Sequence, residues 1–267
     1  MPELSRELND ADFERFSEHA YRLAGIELNE TKRHLVISRL IRRVRSLKLK
    51  TLNEYRGYLD ANPGQENDHF INAITTNLTY FFREDHHFDY LQEHLRQLAL
   101  TNPRIWSAGC STGQEPYSIA ISLKQMGLHN ASILASDIDT QCLEKGRQGV
   151  YRLEDIAEMD EAFTKAYFLR GAGANDGMVR VKESLRNMVT FERVNLMQSL
   201  PDEQFDIIFC RNVFIYFDTD TQMRLMQKFA DRLKSGGLLF LGHSELLRVP
   251  ESLFKVVGKT TFLKCHA

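Results

Sequence analysis

The stretch from Arg104 to Leu123, RIWSAGCSTGQEPYSIAISL, decides the fold. Arg104-Ile105-Trp106 approaches as a short apolar strand, and Ala108 to Gly113 is a turn of small residues. From Gln114 to Met126 apolar side chains recur at helical spacing, at Tyr117, Ile119, Ala120 and Leu123. Pro116 stands near the first helical position, where a missing N–H costs nothing. A strand running through such a turn into a helix gathers free backbone N–H groups and a positive helix end at one spot, a place for a nucleotide-like ligand. A plain α/β crossover has the same outline, and Gly109 and Gly113 lack the G-x-G-x-x-G spacing. Glu115 is the informative departure. A carboxylate in the first helical turn opposes a bound phosphate but suits a ligand carrying a cationic amine. Its plainer reading is a helix-dipole acid, worth about 0.3–1 kcal/mol.

Outward from this unit the α/β rhythm continues. Ser132 to Asp137 is a second buried strand closed by an acid, the position that holds ribose hydroxyls in dinucleotide-type folds, or else a cap for the helix from Thr140. Val189 to Leu196 is a strand ending in Asn195-Leu196, and Phe205 to Asn212 a buried strand followed by Val213-Phe-Ile-Tyr216. Leu233 to Glu245 reads as a helix end, a glycine turn and another buried strand. An F-D-x-I strand and an L-K-x-G-G strand, in this order after a glycine turn and an acid, resemble S-adenosylmethionine-dependent methyltransferases. Residues 163 to 194 interrupt the rhythm with a strand from Tyr167, a glycine-rich turn over Gly171 to Gly177 and a strand from Met178 to Lys182. A small hairpin of this kind leaves an edge to which an extended peptide can add, or is mere decoration.

The N-terminal part is helical. Phe13, Phe16, Ala20, Leu23 and Ala24 share one helical face, and Ile37, Leu40, Ile41, Val44 and Leu47 share another. Thr51 to Leu59 reads as a further short helix, Ala61 to Asp68 as a loop, and Phe70 to Ile74 as the start of a helix leading to Thr76-Asn-Leu-Thr-Tyr-Phe-Phe-Arg83. A net charge of −2 conceals an asymmetry: Thr31 to Lys50 carries eight Lys or Arg and no acid. That segment is either a solvated basic face or the seat of an acidic partner.

At 267 residues the chain holds one large domain or two small ones, ample for a core. No apolar run approaches the roughly 20 residues that span a bilayer. The polar, acidic start MPELSRELNDADF does not read as a signal peptide. The cysteines, Cys110, Cys142, Cys210 and Cys265, lack C-x-x-C spacing and suggest neither zinc nor a disulfide framework, so a reduced, cytoplasmic protein is expected.

Exclusion narrows the methyl acceptor. The N/D-P-P-Y/F string of base amino methylation is replaced by Arg211-Asn-Val-Phe-Ile-Tyr216, and no Pro-Cys is present for cytosine C5 chemistry. RNA ribose or ring-nitrogen methylation survives this test, as does a cofactor-binding regulatory module without turnover. Taken together, the strings at 76–83, 111–118 (S-T-G-Q-E-P-Y-S), 136–139 (S-D-I-D), 209–217 (F-C-R-N-V-F-I-Y-F) and 242–245 (G-H-S-E) closely resemble the chemotaxis receptor methyltransferases, the CheR family.

The resemblance covers nearly the whole length. It implies a doubly wound Rossmann-like α/β sheet over 83–267, an all-α domain over 1–82 and an inserted antiparallel β-subdomain over 163–188. The implied activity is transfer of methyl from S-adenosylmethionine to glutamate carboxylates on cytoplasmic chemoreceptor helices, releasing S-adenosylhomocysteine. Asn77, Thr79, Arg83, Glu115, Asp137, Asn195, Leu196, Arg211 and Asn212 are implied cofactor contacts, Arg211 and Tyr216 catalytic residues. Arg39, Arg42 and Arg43 would position the receptor helix. Arg170, Gly171, Gly173 and Arg180 would dock a receptor C-terminal peptide. A monomer working at membrane receptor arrays is expected, with no metal, no nucleic-acid partner and no membrane insertion. A substrate carboxylate with a pKa of about 4.3 is already ionised at pH 7, so no general base is required, and His243 reads as a turn residue.

Overall fold

The computed structural model describes residues 8–243, 245 and 249–265. Four helices build the N-terminal domain: α1 (Asp10–Ala24), α2 (Arg33–Ser46), α3 (Leu52–Ala61) and α4 (Pro63–Ile74). Their apolar faces close on one core, in which Phe16 stacks on Tyr55 and Phe70 with ring centroids 6.1 and 5.9 Å apart. Asn9 and Thr51 cap α1 and α3, their side-chain oxygens accepting from Asp12 N and Glu54 N. The segment expected as a loop, Ala61 to Asp68, is instead largely helix. Pro63 opens α4 at a position where its absent N–H is no loss, so Pro-Gly composition misleads there. Helix α4 stops at Ile74, and Thr75 turns extended to begin the segment that crosses to the second domain.

The second domain runs α5 (His86–Leu98), β1 (Arg104–Ala108), α6 (Gln114–Gln125), β2 (Ser132–Asp137), α7 (Thr140–Gln148), β3 (Val150–Arg152), α8 (Glu161–Tyr167), β4 (Phe168–Arg170), β5 (Met178–Val181), α9 (Glu183–Arg186), β6 (Val189–Arg193), β7 (Phe205–Cys210), α10 (Thr219–Arg232), β8 (Leu233–Leu241), β9 (Phe254–Gly258) and β10 (Thr261–Lys264). A seven-stranded sheet has the order β6-β2-β1-β7-β8-β10-β9. Strands β6 to β8 are mutually parallel; β10 lies antiparallel between β8 and β9. Alternation along each strand feeds two layers. Ile105, Ile133, Ile207 and Phe209 enter the core on one face, and Trp106, Leu134, Ile208 and Cys210 the core on the other. Covering both faces explains why these strands read as continuous apolar runs. Strand order reverses at β1, between β2 and β7, and the crevice beyond the carboxyl ends of these strands is where such sheets bind ligands.

Two details depart from expectation. The helix end expected at Leu233 belongs to β8, which runs on through Gly236 and Gly237 with a pairing irregularity against β7. Gly237 is needed there because a Cβ would lie 2.8 Å from the Asp206 carbonyl oxygen. The β4–β5 hairpin gains a third strand, β3, from residues 150–152, upstream of the expected insert, giving a sheet of order β3-β5-β4. A three-residue strand beside a helix end carries too little periodicity to be seen in sequence.

Candidate active site

Beyond β1 the chain turns through Gly109, whose φ of 80° and distance of 2.4 Å from a built Cβ to Val213 Cγ2 leave no room for a side chain. Four backbone N–H groups of this turn, expected to be free, are engaged. Gly109 and Cys110 donate to the Ser136 carbonyl at 2.8 and 2.9 Å, Gly113 to the Cys110 carbonyl at 3.1 Å. Ser111 N donates to Asp137 Oδ2 at 2.8 Å. A turn with its donors spent on the neighbouring strand is no phosphate cradle, which agrees with Glu115 beside it.

The cleft above these strand ends encloses about 960 Å³, its open mouth included. It brings together Asn77, Thr79, Arg83, Glu115, Asp137, Asn195, Leu196, Arg211, Asn212 and Tyr216 from five separate segments. Asp137 sits buried at the end of β2, accepting also from Asp139 N at 2.9 Å. Burial pushes its carboxyl up to about 6, against the pull of these backbone donors. Asp139 caps α7 through Gln141 N and Cys142 N, so the cap weighed for Asp137 falls to Asp139.

Arg211 lies inside the protein, its side chain only 2% exposed. Its Nε donates to Glu115 Oε2 at 2.7 Å, and its Nη1 donates to the Arg83 carbonyl at 2.5 Å and to His87 Nδ1 at 3.2 Å. Glu84 Oε2 is 3.7 Å from Nη1. Arg211, implied as a cofactor contact and catalytic residue, lines the cleft and also forms an internal ion pair: it holds Glu115, whose other oxygen accepts from Ser107 Oγ at 2.6 Å. Burial foremost, then Arg211, pushes His87 down to about 3, so the ring is neutral, with Nδ1 accepting and Nε2 donating to Lys259 O and Thr260 Oγ1. Glu84 is held below the usual carboxylate range by its hydrogen bonds and by Arg211, despite burial. One guanidinium thus lies between two carboxylates, of which Glu115 lines the cleft while Glu84 stands behind it.

Several cleft residues are also fasteners between domains. Asn77 Nδ2 donates to Asp139 Oδ2 at 2.8 Å, and the Asn77 carbonyl accepts from Ser111 Oγ at 3.1 Å. Asn195 Nδ2 donates to the Leu23 carbonyl at 2.6 Å, and the Tyr216 carbonyl accepts from Glu27 N at 2.8 Å. Arg83 donates to the Leu78 carbonyl at 2.9 Å. The Tyr216 hydroxyl donates to the Thr76 carbonyl at 3.3 Å. Asn212 adopts a left-handed φ of 60°, and a Cβ on Gly242 would fall 2.4 Å from its Nδ2. Glu245 then ties the loop, accepting from Phe214 N at 2.7 Å and from Gly242 N. These contacts account for Gly242 and Glu245 of the 242–245 string; Ser244 lies outside the described residues.

The basic helix is less free than its composition suggests. Arg39 Nη1 donates to the Ile74 and Thr75 carbonyls at 2.8 and 2.7 Å, and its Nη2 donates to Thr76 Oγ1 at 3.0 Å. Arg43 grips the buried Glu66 with both Nε and Nη2, and Tyr55 donates to the same carboxylate at 2.8 Å. Arg33 pairs with Glu30 and Asp10. Arg42 and Arg45 face water. Expected as receptor contacts, Arg39 and Arg43 are thus engaged within the domain, because acids and carbonyls far off in sequence fold against them. In the β-subdomain Arg170 and Arg180 are exposed, and Gly171 N donates to the Met178 carbonyl at 2.8 Å.

Sequence reasoning missed Ser107, Glu84 and His87, which support Arg211 and Glu115, and Ala24, Ile26 and Ile74, by which the helical domain closes the cleft. Glu84 and His87 adjoin the 76–83 string, the one signal that points toward them. Burial pushes the Cys110 and Cys210 thiols well up, so neither is a nucleophile at neutral pH. No group of metal-holding side chains occurs among the described residues.

An acid after the second strand of a doubly wound sheet, a carboxylate in the helical turn after the first, and a last strand inserted antiparallel define the class of S-adenosylmethionine-dependent methyltransferases. Two family models match in succession: the all-alpha domain of CheR methyltransferase over residues 11–75 and its S-adenosylmethionine-binding domain over 77–263. The chain is 49% identical over 259 residues to chemotaxis protein methyltransferase 2 of Pseudomonas aeruginosa, covering 94% of this chain and 92% of that protein. It is 46% identical to the chemotaxis protein methyltransferase of Salmonella typhimurium (96% and 90% covered) and 45% to that of Escherichia coli (96% and 91%). The chain belongs to the CheR family of chemotaxis methyltransferases, enzymes that use S-adenosylmethionine to methylate chemoreceptors in adaptation.

Proposed function

We propose that this chain methylates glutamate side chains on the cytoplasmic helices of chemoreceptors, forming glutamyl 5-O-methyl esters, and that it does so without a general base. The observation that carries the base-free mechanism is that no histidine lines the cleft among the described residues, and His87, which touches Arg211, is buried, neutral and committed through both ring nitrogens. When bound, S-adenosylmethionine supplies an activated methyl group, and the carboxylate oxygen takes it while the C–S electrons remain on sulfur as S-adenosylhomocysteine.

The residues present fit that group. The Glu115 carboxylate, which lines the cleft, suits its ammonium. Asp137 offers two acceptor oxygens to vicinal hydroxyls, and Ile138, Val194 and Leu196 give an apolar wall for the base. Arg83 lines the cleft as a cation for the cofactor carboxylate, with Asn77 and Thr79 beside it and Asn195 and Asn212 framing the far side. Tyr216, on the mouth side, stands beside the acceptor. Fixing two reactants in line contributes about 7–11 kcal/mol, and the domain fasteners serve that end. Exposed Arg42 faces the receptor's acidic helix, and Arg39 and Arg43 hold the surface that presents it.

The edge strand β4, with exposed Leu169 and Arg170, together with Gly171, Gly173 and Arg180, is the docking place for a receptor C-terminal peptide added as a strand. The enzyme acts as a monomer in the cytoplasm, at receptor arrays. The test is transfer of labelled methyl from S-adenosylmethionine to a purified receptor cytoplasmic fragment, then mild base. Label released as methanol identifies a carboxyl ester. Cofactor binding without transfer to any of a panel of receptor fragments overturns the assignment.

A further inference from the structure

Three apolar side chains that face water lie on segments bordering the cleft. Leu78 is 72% exposed, Ile215 45% and Leu35 44%. Leu78 lines the cleft from the crossing segment, and Ile215 directly precedes Tyr216. Leu35 lies on α2 between Lys32 and Arg39, about one turn from each. Lys32 Nζ sits 5.4 Å from the centroid of the Tyr216 ring. Arg39 bonds Thr76 Oγ1, and the carbonyl of the same residue accepts from Tyr216. The stripe 32–35–39 therefore faces Tyr216, which sets Leu35 at the mouth. Exposed Arg42 extends the stripe.

Exposed Leu and Ile gathered around a reactive opening are a docking feature rather than scattered surface residues. Resting on the receptor-methylation reading above, we propose that Leu35 and Ile215, continued by Leu78, form an apolar rim on which the acceptor helix seats the turns flanking its reactive glutamate. On a helix, positions three and four residues from that glutamate share its face. When its carboxylate enters the cleft, those neighbours land on the rim. The rim gives this helix its grip and depth, and Lys32 and Arg42 give it attraction to the acidic flanks.

The experiment measures steady-state methylation of a receptor cytoplasmic fragment, with S-adenosylhomocysteine affinity by calorimetry, for the wild type and for Leu35→Ser, Ile215→Ser and the double variant. Val256→Ser, at a more exposed apolar site on β9, is the control. Circular dichroism and thermal melting verify folding. The double variant is expected to raise KM for the fragment about tenfold, the equivalent of roughly 1.4 kcal/mol of lost contact, with kcat and S-adenosylhomocysteine affinity within about twofold. Unchanged KM in the double variant overturns the rim, as does an equal rise in Val256→Ser or a loss of S-adenosylhomocysteine affinity. A wild type that binds S-adenosylhomocysteine yet methylates no receptor fragment overturns the receptor reading itself, and the rim with it.

Discussion

Arg211 and Glu115, 96 residues apart, meet at 2.7 Å as a buried ion pair in the wall of the cleft. Both belong to strings that mark the family, and each explains the other: the acid faces the ligand only because the guanidinium holds it. Removing one partner of such a pair costs about 3–5 kcal/mol through the charge left behind. Arg211→Ala is expected to lower unfolding free energy in urea by that order and to abolish cofactor binding. Glu115→Gln keeps an acceptor for Ser107 but cancels the negative charge, and S-adenosylhomocysteine affinity should fall by at least about tenfold. Wild-type stability for Arg211→Ala would show the pair to be dispensable.

Asp137 predicts how binding responds to acid. Its folded carboxyl titrates near 6 because it is buried, against an unfolded value near 3.9. Between these values the folded chain holds the extra proton, so this residue's contribution to stability declines as pH rises through the window and is constant above it. Ligand binding runs the other way, since ribose hydroxyls need the ionised acceptor. Affinity for S-adenosylhomocysteine should be flat from pH 7 to 8 and weaken progressively below about 6, and Asp137→Asn should bind weakly with the slope gone. Calorimetry from pH 5 to 8 checks both.

The arginines of α2 separate by what they touch. Arg39→Ala frees three acceptors in the segment 74–76, which lines the cleft and receives Tyr216, so kcat and cofactor affinity should fall while receptor KM changes little. Arg43→Ala strands the buried Glu66 carboxylate and should cost on the order of 3 kcal/mol of stability. Arg42→Glu should raise receptor KM alone, more steeply at low ionic strength. A KM effect confined to Arg39→Ala would return that residue to the substrate surface.

What was legible in the sequence was local. Strand and helix periods gave the alternating layers around Trp106, and short strings gave the cleft residues, because each string marks one strand end. Partners were not legible. The counter-charge of Arg43 is 23 residues away at Glu66 on another helix, and the N–H groups of Gly109 and Cys110 are spent on Ser136 in the adjacent strand. Thus eight cations read as an open basic face when several were already paired. Strand β3, three residues long, owes its existence to pairing with β5 rather than to any pattern of its own.

Gly171 gives the peptide-docking proposal a decisive variant. A Cβ there would stand 2.1 Å from the Asn175 carbonyl oxygen, within the turn that joins β4 to β5. Gly171→Ala must displace that backbone and with it the end of the edge strand, whereas the cleft shares no residue with this turn. A receptor-tail peptide should therefore lose binding by about tenfold or more in fluorescence anisotropy, while methylation of a fragment lacking the tail proceeds at the wild-type rate. Gly173, with open space around its Cβ position and a φ of 61°, offers the milder comparison, since alanine there meets only backbone strain. Peptide binding unchanged in Gly171→Ala would place the tail elsewhere. Equal losses in peptide binding and tail-free methylation would mean that the subdomain supports the catalytic domain rather than tethering its substrate.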